Sequence, residues 1–209
     1  MELKRVVVTG LGAITPLGKT LTETWEGLVN GKSGAGPITH FVASKFKTQF
    51  ACEVKNFDPN QYFDRKEARK LDRYAQFALI AADEAIADSG MEMEKLDLNK
   101  VGVIFSSGIG GISTFQEEVE NYDVERGQRF NPFFIPKMIA DIASGHISMK
   151  YGFRGPNFAV VSACASSTNA IADAFNYIRL GKAHAIVTGG AEASITSAGV
   201  GGFSSMNAI

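Results

Sequence analysis

The side chains of this sequence best suited to covalent or proton-transfer chemistry are Cys52, Cys164, His40, His146 and His184, and Cys164 has the most telling context. Asn157 to Asn169 reads NFAVVSACASSTN. Its apolar run, Phe158 to Val161, is too short for a buried helix and is led in by Gly155 and Pro156, so it predicts a buried strand that stops just before Cys164. From Ala165 to Leu180 the positions Ala170, Ile171, Ala174, Phe175 and Ile178 recur at helical spacing, and Gly181 closes the segment. A thiol on the turn between such a strand and helix sits at a helix N-terminus, where free N–H groups and the macrodipole favour thiolate over thiol. That is the nucleophile-elbow arrangement with sulfur in place of the serine oxygen, and Ala163 and Ala165 leave the thiol open to close approach. Most free cysteines are small buried hydrophobes, and context alone leaves that alternative open.

The other candidates carry less. Cys52 falls in a run, Lys47 to Val54, whose alternation predicts a strand, and it reads as a small residue filling a sheet surface. The histidines are scattered: His184 opens a strand, and His146 reads as a core or boundary histidine that nothing ties to Cys164. No cluster with metal-ligand spacing exists, and two distant cysteines do not make a disulfide framework, so a reducing compartment fits better. Gly10-Leu11-Gly12 and Gly108-Ile109-Gly110-Gly111 invite a nucleotide reading. The first has Thr15 at the third fingerprint position and Pro16 at the helix start, the second lacks the phosphate-loop Lys, and neither has the ribose-binding acid at its proper distance.

The elements that must hold these residues follow from periodicity. Strands are predicted at Lys4 to Thr9, Lys47 to Val54, Lys100 to Ser107 and His184 to Thr188; the third is nearly continuous in apolar character and therefore buried on both faces. Helices are predicted at Thr22 to Asn30, with Trp25 and Leu28 on one face, at Asp64 to Ser89, from Gly108–Gly111 to Glu120 or Glu125, and at Lys137 to Tyr151, with Met138, Ile142 and Met149 on its apolar side. In Asp64 to Ser89, Arg65, Arg69 and Arg73 stack at i, i+4, as do Lys66 and Lys70. Like charges so arranged weaken a helix by about a few tenths of a kcal/mol per pair, which suggests an acidic partner or else a solvated face. Phe130, Phe133, Phe134 and Ile135 form an apolar patch suited to a subunit interface or a pocket wall. The 209 residues, with 21 basic and 22 acidic side chains, point to neither nucleic acid nor membrane, and no run has the length of a membrane helix or a signal peptide. The final ITSAGVGGFSSMNAI is Gly/Ser-rich with Phe203 its one large side chain, and the chain is expected to end in mid-fold.

In order along nearly the whole chain, VVVTGLGAITPLG, SSGIGG, NPFFIP, YGFRGPN, VSACASS, VTGGAEA and GVGGF resemble the β-ketoacyl-[acyl-carrier-protein] synthases, specifically the synthase II type of dissociated bacterial fatty acid synthesis. The resemblance covers the first half of the family's length. It implies an α/β, thiolase-like fold: residues 1–209 would be the N-terminal half of an α-β-α-β-α sandwich, with a mixed five-stranded sheet, helices on both faces, and a homodimer as the working unit. It implies no cofactor and no metal. Cys164 matches the family's nucleophile, which accepts an acyl group from acyl carrier protein; a malonyl group on a second carrier then loses CO2 and the carbanion attacks in a Claisen condensation. Ile109 and Phe203 match acyl-pocket residues, Phe134 matches a pocket residue donated across the dimer, and Lys66, Arg69 and Lys70 match the basic face that meets the carrier.

The family's two decarboxylation histidines, its lysine and one of its oxyanion donors belong to the half this sequence does not include, and His40, His146 and His184 match none of them. By itself the 209-residue chain is expected not to condense substrates. A cytoplasmic location is expected. A non-catalytic scaffold stays as the alternative from another class, although a scaffold has no need of a thiol at a helix N-terminus, and a thiolase or coenzyme A-dependent synthase remains an alternative within the fold.

Overall fold

The computed structural model describes residues 3–125 and 130–209. Its centre is β3 (Val101–Ser106), every residue of which is buried. Alternate side chains of a strand point to opposite faces. Val101, Val103 and Phe105 therefore join one core with α3 (Arg73–Asp88) and α6 (Ile142–Tyr151), while Ile104 joins another with Ala170 and Ala174 of α7 (Ser166–Arg179). Full burial of one such aliphatic side chain contributes about 2–3 kcal/mol. β3 lies between β4 (Asn157–Phe158) and β5 (Ala185–Gly190), parallel to both, with Ile104 opposite Phe158 and Ser106 opposite Gly190. The Ser144 hydroxyl of α6 accepts from the Phe105 N–H at 3.0 Å and lies 3.0 Å from the Phe158 carbonyl, fastening the helix to both strands. The chain is thus α/β with helices on both sheet faces, as expected. The mixed five-stranded sheet expected is, among the described residues, a three-stranded parallel one, and antiparallel pairing occurs apart from it, in the short ladder of β1 (Gly36–Pro37) with β2 (Phe50–Ala51) and in a bridge between Thr15 and Gly18.

Several elements differ from expectation. Lys4 to Thr9 forms no strand: its backbone contact is Lys4 N–H to the Arg179 carbonyl, Val7 and Val8 are exposed, and Val6 to Thr9 line a cavity with Ile186, Val187 and Thr188 of the edge strand β5 without pairing to it. Helix α1 (Leu21–Val29) is present, capped by Thr20, but it buries Thr24 and Gly27 and leaves Trp25 and Leu28 exposed. Gly27 allows the approach, since a Cβ there would lie 2.9 Å from the Leu17 Cβ. The strand predicted over Lys47 to Val54 shrinks to β2, with Phe50 exposed, and Cys52 is exposed too, not packed into a sheet surface. What is buried there is Glu53, which accepts from the Thr39 N–H (2.9 Å), the Thr39 hydroxyl (2.7 Å) and the His40 N–H (3.4 Å). Burial opposes ionisation of Glu53, but these hydrogen bonds and the nearby His40 outweigh it and hold the carboxyl below its ordinary value.

The long helix predicted from Asp64 to Ser89 is two: α2 (Arg65–Ala68) and α3. Asp64 caps the first and Asp72 the second, each accepting from backbone N–H groups two residues on, so the chain restarts its helix at Asp72. The i, i+4 ladder of like charges accordingly does not form, and Lys70 bonds Glu67 at 2.6 Å instead. Lys137 to Tyr151 is likewise divided, into α5 (Phe134–Met138) and α6, with Met149 exposed. Helix α4 (Ile112–Glu120) follows β3 after the glycine loop, and the Gly/Ser-rich end folds into α8 (Ser197–Ser205), capped by Thr196 and burying Gly199 and Val200. Among the described residues no helix is long and apolar enough to cross a membrane.

Asp72 is buried and also accepts from the Thr114 N–H (2.9 Å) and hydroxyl (2.6 Å), joining the start of α3 to α4. Replacing it strands three donors. Asp72→Ala in the intact protein is expected to lose about 3 kcal/mol of stability, read as a fall in urea midpoint; an unchanged midpoint would show that this joint carries no load.

Candidate active site

Parallel strands bring their carboxyl ends to one edge, which is where open α/β sheets place ligands. Here the level is set by Ser106 of β3 and Gly190 of β5, which are in register, and by Val160, whose N–H reaches the Ser106 hydroxyl at 3.0 Å. Just beyond that level the three connections run together: Ser107 to Gly111 after β3, Ser162 to Ala165 after β4, and Ala191 to Ser194 after β5. They enclose a cavity of about 390 Å³ whose wall includes Cys164, Ile109, Phe203, Glu192, Ala163 and Ser167.

Cys164 occupies a single turn of 3-10 helix, Ala163–Ala165, that leads into α7. Ala163 carries φ = 52°, a left-handed conformation that costs a non-glycine residue about 1–2 kcal/mol. The turn is held by its neighbours: the Ser162 N–H donates to the Ser166 hydroxyl (2.9 Å), that hydroxyl donates to the Ala163 carbonyl (2.7 Å), and Asn169 donates to the Ser162 hydroxyl (2.7 Å). Ser166 is buried, whereas Cys164 is exposed with its thiol free. The turn into a helix expected at Cys164 is therefore present, and the buried-hydrophobe reading of Cys164 is not; the buried strand expected over Phe158 to Val161 shrinks to Asn157–Phe158, and Val161 is exposed. Gly190 makes room for the turn, because a Cβ there would come within 2.8 Å of the Ser167 Cβ.

The opposite wall is the loop Gly108-Ile109-Gly110-Gly111. Its amides do bind an anion, as glycine loops with successive exposed N–H groups tend to. That anion is the protein's own Glu192, whose carboxylate accepts from Gly108 (2.8 Å) and Ile109 (3.2 Å). Ser107 donates to the same carboxylate at 3.3 Å and accepts from the Gly110 N–H at 2.9 Å. Sequence reasoning missed this role for Glu192; its position two residues past the end of β5, level with a glycine loop at the end of β3, was the available signal.

Of the residues singled out in the sequence, Cys164, Ile109 and Phe203 meet at this cavity. Phe134 does not line it: it stacks with Phe115 and Phe130, which in turn stacks on Tyr122. Lys66, Arg69 and Lys70 lie apart from it around α2, the first two exposed. None of the three histidines is on its wall. His146 is half-buried, and burial holds its imidazole below the ordinary value. Among the described residues no group of three or more His, Cys, Asp or Glu could hold a metal ion. The described site thus offers an accessible thiol at a helix start beside a largely apolar wall, an arrangement suited to nucleophilic attack by sulfur.

A family model described as "Beta-ketoacyl synthase, N-terminal domain" matches residues 3–209. A 3-oxoacyl-[acyl-carrier-protein] synthase 2 of Synechocystis sp. is 45% identical over 210 residues, covering 100% of this chain and 50% of that protein. A protein of the same name from Coxiella burnetii is 42% identical, with 100% and 50% coverage. The chain spans about half the length of these curated relatives. Among solved structures, the ishigamide ketosynthase/chain length factor superposes with a TM-score of 0.86 at 27% identity, covering 98% of this chain and 51% of that one. The fold is that of the thiolase-like ketosynthases. With the motif order of its sequence, the elbow bearing Cys164 and a family match over residues 3–209 in agreement, the chain belongs to the β-ketoacyl synthase N-terminal domain family.

Proposed function

We propose that this chain is the N-terminal, nucleophile-bearing half of a 3-oxoacyl-[acyl-carrier-protein] synthase of fatty acid elongation. The observation that carries the reading is the exposed Cys164 on its strained elbow, facing a cavity walled by Ile109 and Phe203. In the first step the Cys164 sulfur attacks the thioester carbonyl of an acyl carrier protein; the new C–S bond forms as the carrier's thiolate leaves and takes up a proton. In the second, malonyl carrier protein loses CO2, and its carbanion attacks the Cys164 thioester, forming the C–C bond and releasing the Cys164 thiolate. What this chain contributes is the nucleophile, its orientation and the apolar wall. The groups that assist decarboxylation are not on the wall described, so residues 1–209 by themselves are expected not to condense substrates. Free thiols at Cys52 and Cys164 suit a reducing, cytoplasmic setting.

The carrier partner would be met by Lys66, Arg69 and Lys70. They sit on one short segment, Lys66 within α2 and Arg69 and Lys70 on the turn that follows it. The stacked Phe115, Phe134, Phe130 and Tyr122, with exposed Phe133 and Ile135 beside them, form an apolar patch of the kind that subunit interfaces cover, which supports a homodimer with Phe134 near its surface.

Incubating the intact protein with acyl-loaded carrier protein is expected to add one acyl group, mapped by mass spectrometry to Cys164 and absent from Cys164→Ala; an adduct on Cys52, or none, would overturn the reading. Lys66→Glu combined with Arg69→Glu is expected to raise KM for acyl carrier protein by about tenfold with kcat little changed, most strongly at low salt. Equal KM values at every salt concentration would remove this segment from the docking surface. Sedimentation equilibrium of the intact protein is expected to give twice the protomer mass, and a monomer would dismiss the interface at the aromatic patch.

A further inference from the structure

We propose that Glu192 is a positioning residue: by holding the Gly108 and Ile109 amides it fixes Ile109 against the cavity and so sets which acyl chains reach Cys164. The inference rests on the acyl-transfer reading. Three observations converge on it. The Glu192 carboxylate is exposed, yet it accepts from two consecutive backbone N–H groups at 2.8 and 3.2 Å, and the Ser107 hydroxyl at 3.3 Å links it to the Gly110 N–H. Hydrogen bonds to a charged acceptor are the strong ones, and this set satisfies every amide from Gly108 to Gly110. The loop it fixes carries Ile109, a bulky side chain on the cavity wall.

The same loop also leans on the nucleophile's turn. A Cβ at Gly108 would come within 3.0 Å of the Glu192 carboxylate and 3.1 Å of the Ala163 carbonyl, so Gly108 is wedged between the two. Ala163 is the residue held at φ = 52° immediately before Cys164. Movement of the loop would therefore change both the wall facing the acyl chain and the support behind the elbow. Displacements near 1 Å at a reacting centre can cost about a hundredfold in rate. Glu192 itself contacts no reacting atom in this arrangement; it acts through Ile109 and Gly108.

The test compares the intact protein with Glu192→Ala, Glu192→Gln and Ser107→Ala, measuring Cys164 acylation by octanoyl- and hexadecanoyl-loaded carrier protein over a range of carrier concentrations. Glu192→Gln keeps one oxygen able to accept from both amides and is expected to stay within about threefold of the parent. Glu192→Ala is expected to lose about tenfold in the rate of acylation and to change the octanoyl to hexadecanoyl ratio by about threefold or more, with Ser107→Ala moving the ratio in the same direction. A merely structural role would lower the amount of folded protein and leave that ratio unchanged. Where Glu192→Ala does not fold, the ratio in Ser107→Ala decides: a shift supports the assignment and a parental ratio overturns it. A parent that is acylated while all three variants keep its rate and ratio overturns the role of Glu192 alone. A parent that takes no acyl group overturns the acyl-transfer reading and this inference with it.

Discussion

Burial of β3 on both faces is the constraint from which the rest of the structure follows. Val101 to Ser106 has cores on both sides, and a shift of one residue would put Ile104 into the space of Val103 or Phe105. Register is thereby fixed for the two neighbours as well, Phe158 opposite Ile104 and Gly190 opposite Ser106. Because all three strands run the same way, fixing their register also aligns the ends from which Ile109, Cys164 and Glu192 project. The geometry of the cavity edge is thus inherited from the core.

At that aligned edge two local costs are offset by nearby hydrogen bonds. The first is the left-handed Ala163, held by the buried Ser166 hydroxyl, whose partners are the Ser162 N–H and the Ala163 carbonyl. The second is a glycine loop with unpartnered amides, satisfied by Glu192 and Ser107. The two meet at Gly108, which has no side chain to keep them apart. The resemblance of this loop to a phosphate loop has a physical basis, since its amides bind a carboxylate. The anion is supplied from the same polypeptide.

The differences between sequence and structure have separable causes. Asp72 reads as one more charge in a helical run, yet as a cap it restarts the helix and breaks up the ladder of basic residues. In α1 the amphipathic spacing is real, but close packing of Gly27 on Leu17 turns the small residues inward and leaves Trp25 and Leu28 outside. Lys4 to Thr9 has strand composition but forms no ladder, although Val6 to Thr9 share a cavity wall with Ile186, Val187 and Thr188 of the edge strand β5. A strand is a property of two segments, and one segment's composition can only propose it. The same limit hides Glu192: a carboxylate 83 positions from Ile109 in sequence reveals its partner only once both strands end at one level.

By itself the sequence determined the buried central strand, the turn into a helix at Cys164, the α/β class and, through its motifs in order, the family. Each of these is written in short-range pattern, where residue size, polarity and spacing act over a few positions. Only the tertiary structure decided that Ile109 and Phe203 share a cavity with Cys164 while Phe134 stands outside it, that Cys52 is exposed, and that Glu192 closes the glycine loop. Those facts depend on long-range register and on which faces are covered. They are settled by the packing of β3 against its neighbours, which local spacing does not encode.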